Sequence, residues 1–222
     1  IRTERRGLIF EITIDRPKAN AIGMAMSHAM GDAFIAFRDD ADARVAIVTG
    51  AGERFFSAGW DLTETADENL DWDIDLGPGG AAGLCGLFDL EKPVIAAVNG
   101  YCVGAAFEMV LACDMIVAAE HASFFLSEVN MGLVSEAASI QRLLGRLPRA
   151  IALEMLYTGA RKEAPELARH GLINRVVPGS DLMATARELA DGVAGAAPLA
   201  VAACKAAADR VPSLTAEAAH AL

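Results

Sequence analysis

The glutamate at position 108 has unusual surroundings for an ionisable side chain. It lies in NGYCVGAAFEMVLACD (Asn99–Asp114), which is otherwise almost wholly apolar, and no Lys or Arg lies between Pro93 and Asp114. Burial without a cationic partner raises the pKa of a carboxyl group, and such groups are typical of sites of general acid–base chemistry. A glutamate that is ion-paired or reaches solvent is the alternative interpretation.

A second glutamate, Glu128, follows another apolar run, in ASFFLSEVNMGLV (Ala122–Val134). One predicted strand and a turn separate it from Glu108, so the fold can bring the two carboxylates into one pocket. Two carboxylates in one pocket suit general acid–base catalysis. The spacing alone equally fits two acidic side chains that face water.

Two segments are suited to present backbone N–H groups. In RFFSAGWDL (Arg54–Leu62), Gly59 permits a sharp turn that exposes the next N–H, although an ordinary turn anchored by a buried Trp fits the same letters. FEMVLACD is predicted to be a short helix, so the N–H groups at Gly104–Ala106 lie at a helix N-terminus and point at an oxyanion. VTGAGERF (Val48–Phe55) is not a dinucleotide fingerprint, because Phe55 replaces the third glycine.

The elements that position these groups alternate between strands and helices. LIFEITID (Leu8–Asp15) has the period-two pattern of a strand. A helix is predicted over residues 25–40, where apolar residues recur at spacings of three and four. Further short strands are predicted at RVAIVTG, VIAAVNG, MIVAAE and INRVVP, and helices dominate from about Leu143 onward. This alternation predicts an α/β fold with right-handed crossovers.

One segment interrupts the pattern, and the end of the chain lacks a stop signal. Thr63–Gly86 is acidic and then glycine-rich, which predicts a mobile surface loop, either a lid or a plain solvated loop. The sequence finishes at TAEAAHAL within a predicted helix. We therefore expect the native chain to continue beyond Leu222.

Composition excludes several classes of protein. The 222 residues carry a net charge of −11, which argues against non-specific binding of nucleic acid. The most apolar stretch, Pro93–Ala119, is interrupted by polar residues and predicts a buried core instead of a membrane span. The four cysteines have neither metal-site spacing nor a C-x-x-C pair, so we expect free thiols and no metal. With no signal peptide evident at IRTERRGLIFEI, we expect a cytoplasmic protein.

Together, these residues resemble the crotonase (enoyl-CoA hydratase/isomerase) superfamily. The matching segments occur in the family's order and cover nearly the whole chain: RPKANAI (Arg16–Ile22), FSAGWDL (Phe56–Leu62), KPVIAAVNGYCVGAAFE (Lys92–Glu108), ACDMIVAAEHASF (Ala112–Phe124), SEVNMGL (Ser127–Leu133) and LYTGARKEAPELARHGLINRVV (Leu156–Val177). The pair Trp60–Asp61 and the run LGPGG most resemble the branch of carnitinyl-CoA dehydratases, also called crotonobetainyl-CoA hydratases.

The resemblance implies a fold and an assembly. It implies a ββα spiral core that carries the acyl-CoA site over residues 1–145, and a helical trimerisation region over residues 146–222. Family members commonly assemble as homotrimers or dimers of trimers. A few of them bind nucleic acid, but the net charge of −11 argues against that here, and we expect neither a nucleic-acid nor a membrane partner. No cofactor is bound permanently, and coenzyme A arrives as part of the thioester substrate.

The resemblance also implies a reaction and its residues. An enoyl-CoA hydratase/dehydratase adds water reversibly to a 2-enoyl-CoA thioester, with carnitinyl-CoA and crotonobetainyl-CoA as the specific substrate expectation. Glu108 and Glu128 match the catalytic pair and are assigned jointly to water activation and to proton transfer at the α-carbon, with Glu108 favoured for the water and Glu128 for the carbon. The N–H groups of Trp60 and Ala105 match the oxyanion hole. The residues implied to bind CoA or line the acyl pocket are Lys18, Ala19, Ala21, Ser57, Ala58, Gly59, Asp61, Leu62, Tyr101, Gly104, Ser127 and Ser135.

Two departures from the family pattern leave alternatives open. Ala105 and Ala106 replace two of the three glycines that usually precede the first glutamate. Ser135–Ser139 replaces a proline and a glycine-rich turn and introduces Glu136. Glu136 is either a pocket acid of an isomerase-like variant or a residue favoured at a helix N-terminus, and we favour the second interpretation. An enoyl-CoA double-bond isomerase, or a catalytically impaired acyl-CoA-binding homologue, is the alternative.

Overall fold

The computed structural model describes residues 1–64, 75–211, 214 and 217–218. Its strands are β1 (Arg2–Arg6), β2 (Ile9–Ile14), β3 (Val45–Gly50), β4 (Phe55–Ser57), β5 (Val94–Val98), β6 (Tyr101–Val103), β7 (Met115–Ala119), β8 (Ser123–Phe125), β9 (Lys162–Glu163) and β10 (Arg175–Val177). Its α-helices are α1 (Met24–Asp39), α2 (Ala105–Ala112), α3 (Ser139–Arg146), α4 (Arg149–Thr158), α5 (Ala164–Arg169), α6 (Leu182–Ala194) and α7 (Pro198–Arg210). Short 3-10 helices lie at Ala81–Gly83, Glu128–Met131 and Gly179–Asp181.

Two sheets form the framework. The larger has the strand order β1-β2-β3-β5-β7-β10, and the smaller has the order β4-β6-β8-β9. Only β1 and β9 run antiparallel to their neighbours. The consecutive pairs β3–β4, β5–β6 and β7–β8 each place their first strand in the larger sheet and their second in the smaller one. This repeated step is the predicted ββα spiral.

The large sheet has an apolar core on each face. In β3, Val45 and Ile47 face one core while Ala46 and Val48 face the other, as the period-two geometry of a strand requires. On the first face, α6 buries a stripe of residues four apart, Leu182, Ala186, Ala190 and Ala194. The second face carries the larger core, which includes α1 and α2.

The five strands predicted from sequence are confirmed as β2, β3, β5, β7 and β10, each within two residues of its predicted bounds. The helix predicted over residues 25–40 is α1. The segment 146–222 contributes β9 and β10 to the two sheets as well as helices α4–α7. The division into a core and a trimerisation region stays a prediction.

The glycine-rich part of Thr63–Gly86 is not a solvated loop. Residues 65–74 of this segment lie outside the described residues, but Ala82, Leu84 and Cys85 are buried in the larger core. Gly83 has φ +73°, and an added β-carbon there would collide with the backbone of Met30 in α1. Glycine at this position therefore allows close packing against α1. A glycine-rich run in a sequence does not reveal whether its glycines serve close packing or mobility.

In the described part of the chain, no single helix is long and apolar enough to cross a membrane. By length and composition alone, the segments Gly179–Ala194 and Pro198–Arg210 would together be long and apolar enough to cross a membrane, but the chain bends by 104° between them.

Candidate active site

Helix α2 connects β6 of the smaller sheet to β7 of the larger sheet. The residue before it, Gly104, has φ +51° and ψ −125°, and its N–H donates to the carbonyl of Phe125 at the end of β8 (3.0 Å). Ala105 is the first residue of the helix, so its N–H has no partner four residues earlier. This N–H forms no hydrogen bond to any other described residue and is available to a ligand.

A second free N–H, that of Trp60, lies in the neighbouring segment. Ile22 donates to the carbonyl of Gly59 and accepts from the N–H of Asp61, both at 2.8 Å, so the N–H of Trp60 between them points away from Ile22. It bonds to no other residue in the described ranges. Gly59 has φ +82°, and an added β-carbon there would lie 3.4 Å from the nitrogen of Ala105. The structure therefore brings together the two N–H groups predicted to form an oxyanion hole.

Glu108 is buried, with only 5% of its surface exposed. Its Oε1 accepts a hydrogen bond from the N–H of Ala137 (3.2 Å). Burial raises the pKa of this carboxyl group, and the negative charge of Glu128 adds to the effect. The hydroxyl of Ser139, the N–H of Ala137 and the charge of Arg142 oppose the rise.

Glu128 opens the 3-10 helix that follows β8, and its carboxylate lies against the start of α2. A β-carbon added at Gly104 would lie 2.6 Å from Glu128 Oε1. The other oxygen, Oε2, is buried and has no hydrogen-bond partner among the described residues. Burial raises the pKa of Glu128, while its own N–H and the hydroxyl of Ser135 oppose the rise. An unsatisfied buried carboxylate oxygen is costly unless a ligand or water occupies the site.

Burial raises the pKa of both glutamates, and the negative charge of Glu128 adds to the rise at Glu108. We therefore expect the two groups to titrate as a coupled pair, whose apparent pKa values belong to the pair and not to either residue. A pair that holds one proton near neutral pH contains both an acid and a base.

The residues predicted to contact CoA lie on two adjacent segments. The N–H of Ala58 donates to the carbonyl of Ala19 (2.9 Å), and Arg16 donates to the carbonyl of Ala21 (3.0 Å). Arg16 also pairs with Asp61 (2.7 Å). The pKa of Asp61 is lowered by hydrogen bonds from Thr63 and by Arg16. The structure thus joins the predicted segments through their backbones.

The remaining residues of this group differ in exposure and strain. Lys18 has φ +80°, which is strained for a residue with a side chain. Ser57 is buried and its Oγ accepts from the N–H of Gly59 (3.1 Å). Leu62 is half exposed.

The predicted acyl-pocket residues are more dispersed. Ser135 is buried beside Glu128, and Ser127 immediately precedes that glutamate. Tyr101 opens β6, about 10 Å along the strand from Gly104. Its hydroxyl accepts a hydrogen bond from Arg161 (3.2 Å) and its ring packs against Phe55. These contacts involve neither glutamate, and the place of Tyr101 in the acyl pocket stays a prediction.

Asn20 is a positioning residue that the sequence analysis missed. It is buried, and its Nδ2 donates to the carbonyls of Ala51, Phe55 and Phe56 at 3.0–3.2 Å. It thereby anchors the strand that leads to Ser57 and Trp60. A polar residue between the alanines of RPKANAI is the only signal in the sequence. Arg142 and the N–H of Ala137 were also missed, since both reach Glu108 from about thirty residues further along the chain.

Comparison with known proteins gives one consistent result. The family model described as "Enoyl-CoA hydratase/isomerase" matches residues 4–221. Carnitinyl-CoA dehydratase from Proteus mirabilis is 56% identical over 200 residues, covering 90% of this chain and 76% of that protein. The protein of the same name from Salmonella typhi is 57% identical over 201 residues, covering 90% and 77%.

Solved structures agree in fold. Enoyl-CoA hydratase from Mycobacterium tuberculosis superposes with a TM-score of 0.90 at 36% identity, covering 99% of this chain and 85% of that one. Carnitinyl-CoA hydratase from Mycobacterium avium superposes with a TM-score of 0.86 at 39% identity, covering 97% and 81%.

The chain belongs to the enoyl-CoA hydratase/isomerase family. The crotonase resemblance, the α/β fold class and an enzyme of the enoyl-CoA hydratase/dehydratase class are therefore confirmed.

Proposed function

We propose that this chain catalyses reversible addition of water to a 2-enoyl-CoA thioester through Glu108 and Glu128. The observation that carries the proposal is the place of the two carboxylates, which lie at the start of a helix beside two free backbone N–H groups. A hydratase uses two groups, one to activate water and one to protonate carbon.

The thioester carbonyl is proposed to lie between the N–H groups of Trp60 and Ala105. As water adds to C3, negative charge develops on the carbonyl oxygen, and the two donors stabilise the resulting enolate. Loss of one such donor typically costs about 3 kcal/mol. Since both donors belong to the backbone, alanine at position 105 preserves them.

The glutamates are proposed to divide the proton transfers. Ionised Glu108 accepts a proton from water as the water oxygen bonds to C3, and protonated Glu128 donates a proton to C2. The reverse sequence expels water from a 3-hydroxyacyl thioester. The raised pKa values of both groups support this division, because burial makes each carboxyl group retain its proton to higher pH than an exposed glutamate does.

The proposed substrate pair is carnitinyl-CoA and crotonobetainyl-CoA. The names of the relatives support it, and so does the charge of the site. The trimethylammonium nitrogen of this substrate is two bonds from C3, which places a positive charge near both carboxylates. An oppositely charged substrate offsets part of the cost of burying the carboxylates.

We propose that substrate binding extends over the two segments that carry Lys18 and Asp61, with coenzyme A supplied by the substrate. For assembly we propose a homotrimer or a dimer of trimers. Helix α7 supports this, since it has no buried residue and leaves Leu199 85% exposed. Sedimentation equilibrium measures the assembly directly.

The test follows the enoyl absorbance of crotonobetainyl-CoA and of crotonyl-CoA mixed with the purified protein. We expect loss of absorbance with crotonobetainyl-CoA. Glu108→Gln and Glu128→Gln should each reduce hydration by about 10²-fold or more. An isomerase with one base would tolerate one of the two changes, and acyl-CoA binding without turnover of either substrate would refute the proposal.

A further inference from the structure

Two arginines lie one turn apart on α3 and contact α2 or the groups around it. They are Arg142 and Arg146, four residues apart and therefore on one face of the helix. Each uses its guanidinium to bond backbone carbonyls outside α3. α2 is the helix that carries the N–H of Ala105 and the carboxylate of Glu108.

Arg146 holds the C-terminal end of α2. Its Nη1 donates to the carbonyls of Leu111 (3.1 Å) and Cys113 (2.9 Å). These carbonyls lie at the end of the helix, where no further backbone N–H continues the helical bonding pattern. A cation at this position also interacts favourably with the helix dipole. Its contacts are at the opposite end of α2 from Ala105, so they explain helix stability and not chemistry.

Arg142 reaches the other half of the site. Its Nη1 donates to the carbonyl of Ala137 and its Nη2 to the carbonyl of Cys85, both at 3.0 Å. Ala137 is the residue whose N–H donates to Glu108 Oε1. Arg142 therefore fixes the residue that binds the carboxylate, and it ties the segment of Cys85 to the same point.

The charged and titratable groups around Glu108 come from several elements. Glu128 repels it and Arg142 on α3 attracts it. Burial, and then the negative charge of Glu108, raise the pKa of the Cys85 thiol to about 12. That thiol is therefore neutral over the working pH range. The hydroxyl of Ser139 and the N–H of Ala137 complete the set. Arg142 is the only cation among the described residues that acts on this carboxyl group.

We propose that Arg142 is a positioning residue of the reaction, which holds the Ala137 N–H against Glu108 and offsets the negative charge of the glutamate pair. The inference rests on the proposed function, in which Glu108 accepts a proton from water. Arg142 itself touches neither substrate nor water in this proposal. Without it, Glu108 loses both an oriented donor and a compensating charge.

The experiment compares Arg142→Gln with Arg146→Gln and Arg142→Lys. For Arg142→Gln we expect the acid limb of the kcat/KM profile to move to higher pH, because the ionised carboxylate loses its cation. The loss of kcat/KM should be about tenfold on the acid side, a small part of the 10²–10⁴-fold that general acid–base catalysis contributes. Arg142→Lys should return the acid limb toward the wild-type position, since the positive charge is retained.

Arg146→Gln is the matched control for structural effects. It should lower the melting temperature and leave the acid limb in place. A carbon-13 NMR titration of Glu108 in wild type and Arg142→Gln gives a readout that needs no turnover, and the same upward movement is expected. An acid limb and a titration that stay unchanged in Arg142→Gln, or that move equally in Arg146→Gln, would overturn the inference. Absence of turnover in the wild type would refute the proposed function instead, and the titration would still decide the role of Arg142.

Discussion

Replacing Gly104 with alanine tests whether the position of Glu128 controls the reaction. The added β-carbon would lie 2.6 Å from Glu128 Oε1, whereas ordinary van der Waals contact begins at 3.4 Å. The carboxylate must therefore retreat by about 0.8 Å, the difference between these distances. A misplacement of about 1 Å in a reacting group costs about 10²-fold in rate. We expect kcat/KM to fall by about that factor.

The same substitution also strains the backbone. Gly104 has φ +51° and ψ −125°, a region that side chains avoid, and the expected loss of unfolding free energy is about 1–3 kcal/mol. Gly171→Ala is the control, since Gly171 has φ +84° but an added β-carbon would meet nothing within 4 Å. It shares the positive φ without touching Glu128.

The assays are steady-state hydration of crotonobetainyl-CoA and urea unfolding of both variants. Both should lose stability, and only Gly104→Ala should lose activity at a temperature where each is folded. If Gly104→Ala retains activity within about threefold of the wild type, the loss of about 10²-fold expected from a displaced carboxylate is refuted. The requirement for Glu128 at this position is then refuted as well.

Three further predictions concern the same site. Ala138 has φ +61°, a backbone conformation that is strained for alanine and unstrained for glycine. Ala138→Gly should therefore raise the free energy of unfolding, measured by urea titration, by about 0.5–1 kcal/mol. A loss of stability would contradict the strain at this residue. The pKa of Glu108 is raised in the folded protein, so its contribution to stability is fully present below the pKa of the unfolded chain and is lost as pH rises through the pKa of the folded protein. Glu108→Gln should therefore raise the urea midpoint more at pH 8 than at pH 4. An equal change at both pH values would contradict the raised pKa. As pH drops, kcat should fall when Glu108 becomes protonated, at pH values above the ordinary 4.5 of a glutamate. This fall should come at lower pH with crotonobetainyl-CoA than with crotonyl-CoA, because the cation of the bound substrate favours ionised Glu108. Coincident acid limbs of kcat would exclude that attraction.

Local pattern predicted most of the framework. The alternation in Ile9–Ile14 and Val45–Gly50 specifies strands, because burying one face of a sheet requires a period of two. The absence of basic residues near Glu108 in the sequence correctly indicated that its side chain is buried without a close ion pair. This inference needs only the residue types, because the preference of a charged side chain for water is a property of the residue itself. Glycine was less informative: Gly83 and Gly79 lie in a run typical of a loop, yet both are in close backbone contact with neighbouring segments.

The sequence by itself determined the residue types of the site, the strand and helix that carry Glu108, and the fold class. Only the tertiary structure decided that Ala137 donates to Glu108, that Arg142 fixes Ala137, and that Gly104 leaves room for Glu128. These contacts join residues between 5 and 29 positions apart. They depend on how the chain passes between the two sheets. Sequence periodicity cannot predict them, because it indicates only which face of its own helix or strand a residue occupies.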